Sequence, residues 1–246
     1  MTSAKFSRGL VPLSITTVVL IVGANSLVFF YAPNDADQGF IQKIFYLHVP
    51  LAIVALCGFV AGGIYGLRYL LSGDRTLDLR SYVAIHISLI LAVGALITGS
   101  IWAKASWGHW WVWEEPTLVS FLIVFLLYAC YQPLRFSIED PERQARYAAV
   151  FSVIGGAFVP LNFIAVRAAT SLTHPRVLST TGGDMPGSMR LTFLVALAGM
   201  TVLFVTLNKY ELTSKAATFS LRALRRRLAE EDDGWVPVRR SAAPQL

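Results

Sequence analysis

The chain has 246 residues with a mean hydropathy of +0.57, 55% of them hydrophobic and only 15% charged. That composition excludes an ordinary soluble domain and a disordered chain, and it points to a membrane protein. The formal charge of +6 does not signal a nucleic-acid partner, because its distribution follows membrane orientation instead.

Six apolar stretches are long enough, or nearly so, to cross a hydrocarbon core of about 30 Å, which takes about 20 helical residues. They are residues 13–31, 44–71, 82–102, 116–132, 147–166 and 191–207. Backbone N–H and C=O groups cannot go unpaired in lipid, so each stretch is predicted to be a helix, and the fold class is all-α. The first stretch exceeds a typical signal-peptide apolar region, is followed by Pro33 and has no Ala-x-Ala site. It reads as a retained first helix. The second stretch carries Gly58, Gly62 and Gly66 at four-residue spacing, a pattern that lets another helix approach closely without saying which. Cys57 and Cys130 fall inside predicted spans and read as small buried apolar residues. No Cys-x-x-Cys-His occurs, so covalent c-type haem on this chain is not expected.

If the N-terminus is cytoplasmic, sixteen of the 21 Lys and Arg lie inside. The positive-inside bias then places both termini in the cytoplasm. Three loops face outward: 32–43, polar and acidic; 103–115, rich in Trp; and 167–190, rich in Thr, Ser, Gly and Pro. The chain divides into a membrane domain over residues 1–208, with its outer Trp loop at 103–116, and a basic, partly disordered cytoplasmic tail over 209–246. Within that tail, residues 220–228 form a basic amphipathic stretch suited to anionic membrane lipids.

Chemistry-bearing residues collect on the outer side. Four of the six tryptophans, Trp107, Trp110, Trp111 and Trp113, fall within seven residues, beside Gly108, His109, Glu114 and Glu115. Interface anchoring takes only one or two Trp per boundary, so this cluster reads as a surface for a large flat aromatic ligand. His48 lies near the outer end of the second span and His174 in the third outer loop. Neutral imidazole is a good axial ligand for haem iron, and two facing histidines make a six-coordinate site. His48 and His174 are therefore the candidate metal ligands. Arg167, Arg176, Lys43 and Lys104, in that order, are candidate partners for haem propionates. Glu114 and Glu115 are expected to orient the loop through N–H groups or to cap the next helix, with Pro116 as its first residue. A zinc site from His48, His109, His174 and Glu114 has no supporting ligand spacing. His86, alone near the inner end of the third span, reads as structural.

The segments Phe45-Tyr46-Leu47-His48-Val49-Pro50, Gly99-Ser100-Ile101-Trp102 and Trp107-Gly108-His109-Trp110-Trp111-Val112-Trp113-Glu114 together resemble the cytochrome c maturation C proteins. These are the haem-handling tryptophan-rich-loop (WWD) proteins of the System I pathway. The resemblance covers about residues 38–207. It implies a multi-pass protein of the bacterial inner membrane with its functional face periplasmic. It implies haem b held non-covalently, in transit, on the Trp loop between one histidine before that loop and one after, which here are His48 and His174. The implied partners are a periplasmic haem chaperone (the E protein, CcmE), an ABC-type pair (CcmA/CcmB) and a small D protein (CcmD). No catalytic residue of its own is implied. The family motif ends Trp-Asp and continues to Arg-Leu-Thr, whereas this chain reads Trp113-Glu114-Glu115-Pro116-Thr117-Leu118. The acid is one methylene longer and the following Arg is absent.

Two other functions fit the sequence less well. A haem transporter that carries haem across the membrane needs a polar or haem-sized path, and the third and fourth spans show no acid or base at mid-depth. A b-type electron-transfer subunit calls for His pairs within the membrane, and only His86 is placed on a span away from the outer face.

Overall fold

The computed structural model describes residues 4–174 and 185–233 and contains six helices long and apolar enough to cross a membrane. A short α1 (Ala4–Ser7) precedes α2 (Leu10–Phe30). A 3-10 turn over Phe40–Ile44 runs directly into α3 (Phe45–Ser72), and α4 covers Arg75–Trp107. After the Trp loop come α5 (Pro116–Ala129), the short α6 (Tyr131–Phe136), α7 (Pro141–Ala168) and α8 (Gly187–Asp233). All six predicted spans are present as helices. Among the described residues there is no strand, only an isolated bridge between Asp35 and Gly39.

Six crossings put the described termini at one end of the bundle and the three longer loops at the other. The turn between α3 and α4 has two residues. Gly73, at φ 70°, caps α3 by donating its N–H to the Tyr69 carbonyl at 2.8 Å. Glycine is the residue that adopts this left-handed conformation without strain. Asp74 then caps α4 by accepting the Thr76 N–H at 2.8 Å.

The glycine pattern in α3 resolves into named neighbours. A Cβ on Gly58 would collide with Ser88 on α4 and Phe204 on α8, and one on Gly66 with Ser152 on α7. Helix α3 therefore lies at the centre, with α4, α7 and α8 close against it. In lipid such contacts stabilise through van der Waals packing rather than apolar burial, so small residues at the seam matter most. Thr17 and Thr206 hydroxyls hydrogen-bond at 2.7 Å and tie α2 to α8.

At the end opposite the Trp loop, Arg135 makes a two-pronged ion pair with Asp78, both contacts at 2.7 Å and both residues buried. Nearby, His86 Nδ1 stands 3.4 Å from Glu211 Oε1, and Lys215 pairs with the same carboxylate at 3.1 Å. His86 is thus not alone, but it sits on a network far from the Trp loop.

One sequence expectation changes. Cys57 and Cys130 are free and exposed on the protein surface rather than buried between helices. Both lie on apolar spans, where lipid covers a small side chain as well as protein does. The helix that carries the sixth span also runs on past residue 207. Helix α8 continues to Asp233, 47 residues in all, or about 70 Å at 1.5 Å per residue. Its charge-rich second half remains helical beyond any bilayer crossing, and residues 234–246 lie outside the described residues.

Candidate functional site

One large cavity opens at the Trp-loop end, with an empty volume of about 1460 Å3 that includes its open mouth. Its walls come from α3, α4, α5 and α7, the Trp loop and the start of the third long loop, and they are almost wholly apolar. Small-molecule sites are commonly apolar with a few placed polar groups, and this lining of indole, aliphatic and imidazole side chains matches a flat, mostly apolar ligand.

His48 and His174 both line it. His48 stands in the first turn of α3. Its Nδ1 lies 3.0 Å from the Ala95 carbonyl and 3.2 Å from the Thr98 hydroxyl, both on α4. A carbonyl only accepts, so Nδ1 carries the proton and neutral imidazole keeps Nε2 as its lone-pair atom. Metal-binding histidines are held in this way, by a hydrogen bond from the other ring nitrogen. The ring has room because Gly99 lies beside it: a Cβ there would stand 2.7 Å from His48 Cε1. His174 meets Trp107 edge to face, with ring centroids 6.3 Å apart. Trp102 meets His48 in the same manner at 5.8 Å.

The tryptophans divide. Trp107 and Trp111 line the cavity, while Trp110 and Trp113 are 60% and 68% exposed and lie outside its wall. Trp113 packs on Trp111 with centroids 6.0 Å apart. Among the described residues, the buried indole N–H of Trp111 has no acceptor. An unpaired buried donor costs about 1–3 kcal/mol, so an acceptor on a bound ligand would relieve it.

Comparison with known proteins decides the family. The model of the family described as heme exporter protein C matches residues 2–227. The chain is 33% identical over 180 residues to heme exporter protein C of Paracoccus denitrificans, covering 72% of this chain and 74% of that one. It is 32% identical over 201 residues to the Rhodobacter capsulatus protein of the same name, covering 81% and 83%. A ccmC-like mitochondrial protein from Marchantia polymorpha, whose name ties it to cytochrome c biosynthesis, is 32% identical over 172 residues, covering 70% and 72%. The chain belongs to the heme exporter protein C family.

Within this family member the acidic pair is split. Glu114, the acid matching the motif, is exposed. Glu115 is fully buried and caps α5, its Oε1 accepting the Thr117 N–H at 3.4 Å. Burial raises the carboxyl's pKa, but backbone N–H groups of Thr173, His174, Leu172 and Thr117 outweigh it and lower the value to about 2. Residue identity gave no sign of which glutamate turns inward; the Pro116 that follows is the one signal, since it marks Glu115 as the N-cap.

The cationic candidates divide as well. Arg167 lines the cavity and lies over Phe163, 5.1 Å from its ring centroid. Lys43 does not serve there: it is buried, and its Nζ donates to the Val28 and Ala32 carbonyls at 2.6 and 3.0 Å, closing the end of α2. Lys104 donates to the Gly108 carbonyl at 2.8 Å, just past the end of α4. A cation at a helix C-terminus is stabilising, which accounts for both. Arg176 lies outside the described residues. His109 is exposed, and no three His, Cys, Asp or Glu among the described residues are arranged to hold a metal ion.

Gly99 sets how closely α4 can approach the His48 ring. Gly99→Ala puts a methyl into the His48 ring, which must then leave Ala95. Ligand binding through His48 should weaken by roughly tenfold, the scale of one lost charged or metal-orienting hydrogen bond. Titration of haem into the detergent-purified variant checks this, and wild-type affinity would reject the role given to Gly99.

Proposed function

We propose that this protein holds haem in the Trp-loop cavity, with His48 and His174 as iron ligands, and presents it at the outer face of the inner membrane. The receiver is a periplasmic haem chaperone of the E type, loaded covalently during c-type cytochrome maturation. The observation that carries this reading is the placement of His48 and His174 on one apolar cavity, with His48 Nδ1 tied to the Ala95 carbonyl.

The residues divide the work. His48 binds iron from a helix and His174 from a loop. Trp107 and Trp111 supply flat apolar contact, and the Trp111 N–H and Arg167 would pair with the propionates. Exposed Trp110, Trp113 and Glu114 offer a face for the chaperone. The ABC-type A/B pair and the D protein act on the loaded complex. Haem supplies the iron and vinyl chemistry, and the protein supplies position. The excess of Lys and Arg at the opposite end of the bundle supports a cytoplasmic placement of that end. With that end inside, the cavity would face the periplasm.

Presentation is favoured over passage through the protein. One turn below cavity residues Leu56 and Val124, Phe59 and Tyr128 stack with centroids 3.9 Å apart, both fully buried. Tyr128 also donates to the Phe59 carbonyl at 3.3 Å. This pair closes the floor.

The test is an absorption spectrum of the full chain purified from cells supplied with haem. Six-coordinate low-spin haem is expected. Purification without haem, or with five-coordinate high-spin haem alone, would overturn the two-histidine reading.

A further inference from the structure

The Glu115 side chain ties the Trp loop to the third long loop. Glu115 ends the Trp loop, and its carboxylate turns inward to the segment that carries His174. Oε2 accepts the backbone N–H groups of Leu172, Thr173 and His174 at 3.0, 2.8 and 3.1 Å. The Thr173 hydroxyl reaches the same oxygen at 3.4 Å. The Ser171 hydroxyl lies 3.3 Å from Oε1 and 2.7 Å from the His174 carbonyl. Oε1 also holds the first turn of α5 through Thr117.

We propose that Glu115 is the positioning residue for His174: a buried carboxylate that fixes the third loop against the Trp loop and so sets where the imidazole stands in the cavity. Three consecutive N–H groups converging on one oxygen form an anion nest whose occupant is part of the chain itself. Charge-assisted hydrogen bonds of this kind are roughly twice as strong as neutral ones. They offset the cost of ordering a loop rich in Ser, Thr and Gly. His48 needs no such device because α3 and the Ala95 carbonyl already hold it. His174 sits on a loop, and its backbone N–H is itself one of the three donors. Glu115 follows the acid that matches the motif, and no partner-binding or ligand-binding role is needed to account for its burial.

The proposal rests on the reading of His174 as a haem ligand, and the experiment separates the two. Glu115→Asp is the informative variant. Aspartate remains a good N-cap, so α5 keeps its start, but the carboxylate falls about 1.5 Å short of the loop. Glu115→Ala removes both roles. Two readouts are taken on the full chain in detergent. The first, without haem, is hydrogen exchange of the amides at residues 172–174. Exchange is expected to speed up by roughly tenfold or more in Glu115→Asp, with unchanged protection in α5. The second, with haem, is the ligation spectrum, with His174→Ala alongside. Glu115→Asp is expected to lose low-spin character as His174→Ala does, and added imidazole to restore it in both.

Wild-type exchange at 172–174 in Glu115→Asp would overturn the clasp, whatever haem does. Loosened amides with unchanged ligation in Glu115→Asp, beside altered ligation in His174→Ala, would overturn positioning while leaving the ligand reading intact. Unchanged ligation in His174→Ala would overturn the ligand reading itself, and the positioning role with it.

Discussion

His48→Ala is expected to strip the protein of haem and to abolish cytochrome c assembly, with His174→Ala less severe in haem retention. The order follows from how each imidazole is held. His48 is fixed by a helix and by Ala95 at 3.0 Å, so its Nε2 needs little further ordering to bind iron. His174 lies on a loop secured through Glu115, and part of its binding free energy goes into keeping that loop in place. Losing His48 leaves haem on the loop ligand alone. Losing His174 leaves haem on the pre-organised ligand, five-coordinate and more weakly bound. A drop in retained haem of more than about tenfold is expected for His48→Ala, which is about 1.4 kcal/mol or more of binding free energy. Both variants should fail to support cytochrome c assembly, because transfer needs the iron positioned and not merely bound. Pyridine haemochrome content of the purified variants, together with c-type cytochrome levels in cells carrying them, checks both statements. Normal cytochrome levels in either variant would reject the ligand assignment.

The spans were legible because lipid leaves the backbone little choice. A run of about 20 apolar residues has to be a helix, and all six are. The Trp run and His48 were legible as chemistry because their composition exceeds what interface anchoring needs. What the sequence could not show was partnership between residues far apart in it. Pro116 marks Glu115 as the N-cap of α5, but nothing in the chain shows that its oxygens also meet the N–H groups of a loop 57 to 59 residues away. Lys43 looked like a propionate partner because it lies in an outer loop. Its nearest unsatisfied acceptors are the carbonyls at the end of α2, which a buried ammonium must meet. The apolar run of the sixth span stops near residue 207, while good helix formers such as Leu, Ala, Arg and Glu carry α8 on into the tail. Hydropathy marks where a helix leaves the membrane, not where it ends.

The glycines of α3 show the same limit and carry the second large effect. Four-residue spacing singles out Gly58, Gly62 and Gly66, but the closest backbone approach is made by Gly63, which stands outside that series. A Cβ on Gly63 would lie 2.8 Å from the Ser152 carbonyl oxygen and 3.0 Å from the Gly156 Cα, both backbone atoms of α7. Side chains can rotate away from a new methyl, but helix backbones cannot, so any side chain here must separate α3 from α7. Gly63→Leu is expected to destabilise the bundle by more than about 3 kcal/mol, beyond the usual cost of overpacking, and to leave little folded protein. The control is Gly23→Leu on α2, where a Cβ meets nothing within 4 Å. It faces the lipid side of a thinly buried helix and exchanges a poor helix former for a good one, worth about 0.5–1 kcal/mol in its favour. Folded yield and thermal unfolding of the two variants, measured in the same detergent, should therefore move in opposite directions. Equal behaviour would mean that the α3–α7 seam does not govern stability, and that the central helix is held mainly through α4. In that case the cavity walls from α5 and α7 would be free to shift relative to His48, and the placement of His174 would have to come from the Glu115 clasp alone.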